Sequence, residues 1–168
     1  MELQIYPAKA LLEECPPANL LPQFTDIRAA VVKEMRAIMH QHNGVGLAAP
    51  QVGVLTRIFI WNTTGNPSDD QAIVNPELVE LSGEEWQDEG CLSLPKVAVS
   101  VKRATSSKLV GYTVDGHQIH YAGNRALTRI WQHELDHLNG VLMIDDMSRN
   151  DTIANKKQLR KLLKNAIG

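Results

Sequence analysis

Residues 124–140 read NRALTRIWQHELDHLNG. Asn124 suits the start of a helix, because its side-chain oxygen can accept from the backbone N–H groups that the first turn leaves free. Asn139-Gly140 suits the stop, since glycine adopts the left-handed backbone that ends a helix without strain. A helix over Asn124–Leu138 sets His133 and His137 about one turn apart on one face. The H-E-x-x-H spacing then lets both imidazoles reach a single metal ion, with Glu134 beside it as general base. Two surface histidines also fall at this spacing by chance, and the capped helix around them is what raises the metal reading above that one.

Two imidazoles leave a catalytic metal wanting a third protein ligand, with a fourth position kept for water. Downstream of the motif stand Asp145, Asp146 and Asp151, but no histidine or glutamate. Upstream, Cys91 stands in EGCLSLP, Glu89 to Pro95. A thiolate suits a late first-row divalent ion, and ligand softness by itself points to zinc. A lone cysteine is also a common buried filler, so chemistry leaves the third ligand open.

Working outward, Ile27, Ala30, Val31, Met35, Ile38 and Met39 recur at helical spacing and predict an apolar stripe. Thr25 or Asp26 can cap that helix and Asn43-Gly44 can end it. Strands are predicted over Arg57–Asn62, Ala72–Asn75, Val97–Val101 and Leu109–Val114, which are rich in β-branched and apolar residues. Asp115-Gly116, between GYTV and HQIHYA, signals a tight hairpin. Residues 1–24 carry Pro7, Pro16, Pro17 and Pro22 and read as an extended, turn-rich lead-in. A last helix, roughly Ile153 to Ala166, carries Ile153, Leu159, Leu162 and Leu163 and is basic on its other side. The sum is an α+β fold, with small antiparallel β-sheets packed around a central helix that bears the H-E-x-x-H motif. One catalytic domain over residues 1–168 is expected, since the chain has the length for a single sizeable core.

Composition narrows the partners. A formal net charge of -2 offers no electrostatic footprint for nucleic acid or an anionic membrane. No stretch approaches the ~18 apolar residues of a spanning helix. The cytoplasm is the expected compartment, or an organelle if a transit peptide has been removed. The two cysteines, Cys15 and Cys91, do not make a secreted disulfide framework. A monomer is expected.

Three blocks resemble the signature of the peptide deformylase family in order and spacing. Gly44–Gln51, GVGLAAPQ, is similar to G-x-G-L-A-A-x-Q. Glu89–Pro95 is similar to E-G-C-L-S-x-P, and Gln132–Gly140 to Q-H-E-x-D-H-L-x-G. The weaker likeness runs from about residue 4 to about residue 149. The resemblance implies a metal-dependent hydrolase that removes the N-formyl group from the formylmethionine of new polypeptides and releases formate. It makes Cys91, His133 and His137 the metal ligands and Glu134 the general acid and base. Gln51 and the backbone N–H of Leu92 become the donors to the developing oxyanion. Gly46 and the strand around it hold the substrate backbone. It also implies Fe2+ in the cell, with Ni2+ or Co2+ also competent and Zn2+ giving a weaker enzyme, and so displaces the zinc drawn from softness. The implied partners are N-formylmethionyl nascent peptides, with a transient ribosome contact.

An apolar pocket for methionine is expected beside the metal. Ile130 and Ala126, three and seven residues before His133, share its helical face, and Val45 supplies another wall; plain core packing is the other reading of each. Gln51 can alternatively tie a loop. Asp136 can orient a ligand histidine or serve as a polar helix residue, and Glu89 with Arg103 can brace the Cys91 loop or stand as separate charges. His40, His42, His117 and His120 read as surface or turn residues. Some details depart from the family pattern. Arg129 stands where many relatives carry an apolar residue, Lys96–Lys102 lacks an arginine that some carry, and the tail after Met147 matches weakly. Two rivals remain: a broad metallopeptidase, which H-E-x-x-H alone permits, and an inactive metal-stabilised binding protein. Cys91 and the first block weigh against the former, and Glu134 with Gln51 against the latter.

Overall fold

Helix α1 spans Thr25–Gln41 and buries Val31, Met35, Ile38 and Met39 as the periodicity predicts. The stripe enters through Arg28 and Val32, however, while Ile27 is 60% exposed and Ala30 faces solvent. Positions 28, 31/32, 35 and 38/39 form one helical row, and Arg28 fits inside it because its guanidinium finds acceptors. It donates to the carbonyls of Val114 (2.7 Å) and Asn19 and to the Thr25 hydroxyl (3.0 Å). The structure is a computed structural model and describes residues 1–166.

Among the described residues seven strands follow: β1 (Gly46–Ala48), β2 (Ile58–Trp61), β3 (Gln71–Ser82), β4 (Glu85–Cys91), β5 (Leu94–Arg103), β6 (Ser106–Tyr112) and β7 (Gln118–Gly123). All pairs are antiparallel. One sheet has the order β1-β2-β3-β6-β7, and β4-β5 forms a separate two-stranded sheet. Strand β3 runs far past the predicted Asn75, because it resumes pairing with β6 at Glu77 after a register shift. Strand β4, EWQDEGC, was not predicted. Of its seven residues, Glu85, Asp88 and Glu89 are charged and Trp86, Gln87, Asp88 and Gly90 are exposed, and it becomes a strand only by pairing with β5. The hairpin at Asp115-Gly116 joins β6 to β7, with Gly116 at φ +88°.

Helix α2 spans Arg125–Leu138 with both expected ends. The Asn124 side chain accepts from Leu127 N–H (2.9 Å), and Gly140 takes φ +69°. Its apolar face lies on the larger sheet, where fully buried Trp131 meets Trp61 edge-on at 5.6 Å between ring centroids. Phe59, Ile73, Leu109 and Leu138 close that cluster. Helix α3 spans Arg149–Asn165 and is capped by Ser148, which accepts from Asp151 N–H (3.1 Å). Its buried positions are Asn155 and Leu162, while Ile153 and Leu163 are exposed, against expectation. Asn155 and Gln158 instead donate to the carbonyls of Ala98 and Pro95 and fasten the helix to β5. Antiparallel sheets packed with helices make this an α+β fold, as predicted. No helix among the described residues is long and apolar enough to cross a membrane.

Candidate metal centre

The thiol and the two imidazoles come from different layers. Cys91 closes β4 at the tip of the β4–β5 turn, and both histidines project from α2. Cys91 Sγ lies 3.3 Å from His137 Nε2. The two rings stand 5.0 Å apart at 77°, and one ligand atom of each of the three residues lies within 4.8 Å of the others. The downstream aspartates do not join this group. Asp145 accepts from Leu142 N–H, and Asp151 belongs to the α3 cap.

A metal ion needs neutral imidazoles with the correct nitrogen turned inward. Glu89 selects that nitrogen on His133: its Oε2 pairs with Nδ1 at 3.0 Å, which leaves Nε2 for the centre. Arg103 grips the same carboxylate with two bonds, 2.9 and 3.0 Å, so of the two readings left open for Glu89 and Arg103 the ion pair is the one present. Asp136 takes the remaining arm of Arg103 at 2.6 Å, so Glu89 and not Asp136 orients the histidine. Asp136 lies about one turn from His133 on the same helix, but its carboxylate is taken up by the Arg103 guanidinium. Burial would raise the Glu89 pKa, but the bonds from His133 and Arg103 prevail and hold it at about 2. Burial likewise opposes charge on His133, yet Cys91, Glu89 and Glu134 around it push its pKa well up. That negative field suits a cation in place of the proton. Burial and the positive charges of His133 and Arg103 push the His137 pKa well down, towards the neutral form a ligand requires. The donor set fits a divalent ion.

Glu134 lies 4% exposed beneath β1, and its Oε2 has no hydrogen-bond partner among the described residues. A Cβ at Gly46 would sit 2.3 Å from Glu134 Oε1, so glycine is what lets the strand pass over the carboxylate. Burial pushes the Glu134 pKa up to about 7, the nearby His133 charge opposing it. A carboxyl poised there can both take and give a proton near neutral pH. Gln51 sits in a short 3-10 turn after β1 and is 2% exposed. Its Oε1 accepts from Ala48 N–H (2.9 Å), while its Nε2 donates to Ser93 Oγ (3.1 Å) and lies 3.6 Å from Cys91 Sγ. The loop-tying reading and the functional one are thus compatible, since the tie turns the amide nitrogen towards the centre.

A cavity of about 610 Å³ opens beside these groups. Val45, Gly46, Leu92, Ile130, His133 and Glu134 line it. Ala126 does not; it is exposed at the start of α2, two turns or about 10 Å from His133, beyond the reach of the cavity. Arg129 and His42 do line it, and His42, which matches no motif, carried no signal of a pocket role. His40 is half-buried and bonds Asp70 (2.8 Å), whereas His117 and His120 are exposed as expected.

One sulfur and two ring nitrogens around one point, with a buried acid at their side, define the class of mononuclear metallohydrolases. The model of the family described as polypeptide deformylase matches residues 1–152. A peptide deformylase of Hydrogenovibrio crunogenus is 36% identical over 148 residues, 88% of this chain and 86% of that protein. Peptide deformylase 1 of Clostridium perfringens is 44% identical over 127 residues, 76% of this chain and 86% of that one. Among solved structures, a peptide deformylase from Plasmodium falciparum superposes with a TM-score of 0.90 at 31% identity, covering 98% of this chain and 96% of that one. The chain belongs to the polypeptide deformylase family, metal-dependent enzymes that remove the N-formyl group from nascent peptides.

Proposed function

We propose that Cys91, His133 and His137 hold Fe2+ in the cell, and that Glu134, Gln51 and the backbone N–H of Leu92 carry out deformylation around it, within one catalytic domain over residues 1–168. Zn2+, Ni2+ or Co2+ replaces the iron in a purified sample. The bound ion supplies positive charge that polarises the formyl carbonyl and acidifies water. Glu134 takes the proton of the attacking water and later delivers it to the leaving amine, a double duty that suits a carboxyl buried beside the ligands with one oxygen unpartnered among the described residues. The Gln51 amide, held by Ala48 and Ser93, and the Leu92 N–H donate to the oxyanion that develops on the formyl oxygen. One such donor is typically worth roughly 3 kcal/mol of barrier.

Strand β1 is an edge of its sheet, so an extended formyl peptide can pair with Gly46 and its neighbours. The methionine side chain fills the cavity between Val45, Leu92 and Ile130. The substrates are N-formylmethionyl nascent peptides, met as a monomer in the cytoplasm, or in an organelle. The exposed basic row Lys157, Arg160, Lys161 and Lys164 on α3 supports a transient ribosome contact.

The observation that carries this reading is the convergence of three ligand atoms within 4.8 Å beside a cavity that Cys91, His133 and Glu134 line. Protein purified anaerobically is expected to contain iron and to release formate from formyl-Met-Ala-Ser. It is expected to leave an unformylated internal peptide intact. Iron-loaded protein that releases no formate, or that cuts the internal peptide, would overturn the proposal.

A further inference from the structure

The thiol and the imidazoles belong to separate layers, and what joins those layers beside the site is charge. Arg129, one helical turn before His133, has a side chain only 12% exposed. Its Nη1 donates to Glu89 Oε1 (2.7 Å) and to the Val101 carbonyl (3.2 Å), and its Nη2 donates to the Glu85 carbonyl (2.9 Å). Glu85 lies on β4 and Val101 on β5, so one guanidinium from α2 straps both strands of the sheet that carries Cys91. It also fixes the carboxylate whose other oxygen meets His133 Nδ1. Arg103 holds Glu89 as well, but from within the same β4–β5 pair, and so does not by that bond tie it to α2. His137 has no comparable anchor: its Nδ1 is buried without a partner among the described residues.

We propose that Arg129 is a positioning residue of the metal centre, which sets the thiol against the imidazoles by strapping β4–β5 to α2 and holding Glu89 on His133. The inference rests on the assignment of Cys91, His133 and His137 as ligands. Three acceptors lying in different directions around one planar fork require a guanidinium. An ammonium would keep the charge but lose the geometry.

The test uses the full chain loaded with Co2+, where a thiolate-to-cobalt charge-transfer band reports Cys91 and chelator competition reports affinity. A wild type without that band would remove the ligand assignment itself. With the band present, Arg129→Met is expected to weaken Co2+ binding by about 10–100-fold and to diminish the band, and Arg129→Lys to recover only part of the loss. In a Glu89→Gln background, Arg129→Met is expected to cost less than about threefold, because the two act as one unit. Arg28→Met, which removes another buried arginine bound to carbonyls but set on α1, is expected to lower Tm and leave Co2+ affinity unchanged. Wild-type affinity and band in Arg129→Met, or full additivity with Glu89→Gln, would overturn the proposal. If Arg129→Met does not fold, Arg129→Lys decides: wild-type affinity and band there overturn it equally.

Discussion

The two faces of α2 are held by different physics. Towards the larger sheet, Trp131 and Leu138 pack into a cluster with Phe59, Trp61, Ile73 and Leu109, all nearly or fully buried. Towards β4–β5, Arg129, Gln132, His133 and Asp136 reach out with directed hydrogen bonds to Glu89, Arg103 and the carbonyls of Glu85, Val101 and Ala104. Apolar burial contributes about 25 cal/mol per Å² with little regard to direction. It sets where the helix lies. Charge-assisted bonds are shorter and directional, and they set where ligand atoms point. A buried ionic cluster is a weak route to stability, because desolvation offsets most of its attraction. Its use in this molecule is to orient His133 and Cys91.

If the division is right, variants on the ionic side damage the site and variants on the apolar side damage only stability. The largest effect belongs to Cys91→Ala, expected to lose its metal on dialysis; full metal content in that variant would break the assignment of this face. Glu134→Ala is expected to keep its metal and lose about 10²–10⁴-fold in kcat, as read by formate release beside metal analysis. For Gln51→Ala, the expected loss is about 10²–10³-fold in kcat with KM little changed. A rise in KM alone would make Gln51 a binding group and not an oxyanion donor. On the other face, Leu109→Ala is expected to cost about 2–5 kcal/mol in denaturant unfolding. The rate per folded molecule should be unchanged, and a slowed rate would show that the two faces are coupled.

A last test probes the buried acid through pH. The Glu134 pKa in the folded, metal-free chain is raised to about 7 from an ordinary 4.5, chiefly by burial. The associated stability is fully present below pH 4.5 and is lost as pH rises through 7. Metal-free wild type should therefore lose on the order of 3 kcal/mol between those limits relative to Glu134→Gln. Parallel stability curves for the two chelated proteins would contradict the buried-acid picture.

What could be read beforehand was local. The caps of α2 at Asn124 and Gly140 answer to turn chemistry within a few residues, and both stand where the letters put them. What escaped reading was contextual. Strand β4 has no apolar alternation and exists through its partner. Ala126 shares a helical face with His133 but lies past the end of the cavity. Asp136 sits inside the motif, yet the partner of His133 is Glu89, 44 positions away. Arg129 stood out as a departure from the family pattern, but nothing in the letters named its three acceptors.

The helix, the pair of imidazoles on one of its faces, the acid beside them and the family they mark are all written in one short stretch of residues and two matching blocks. Spacing and caps act within one turn of chain and need no distant partner. Folding alone brings a sulfur 46 residues from His137 to 3.3 Å from its ring, and carries β1 over Glu134 where Gly46 leaves room. Such contacts depend on how separate layers meet. That is settled by which buried groups satisfy one another across the interface, and no single stretch of chain carries the information.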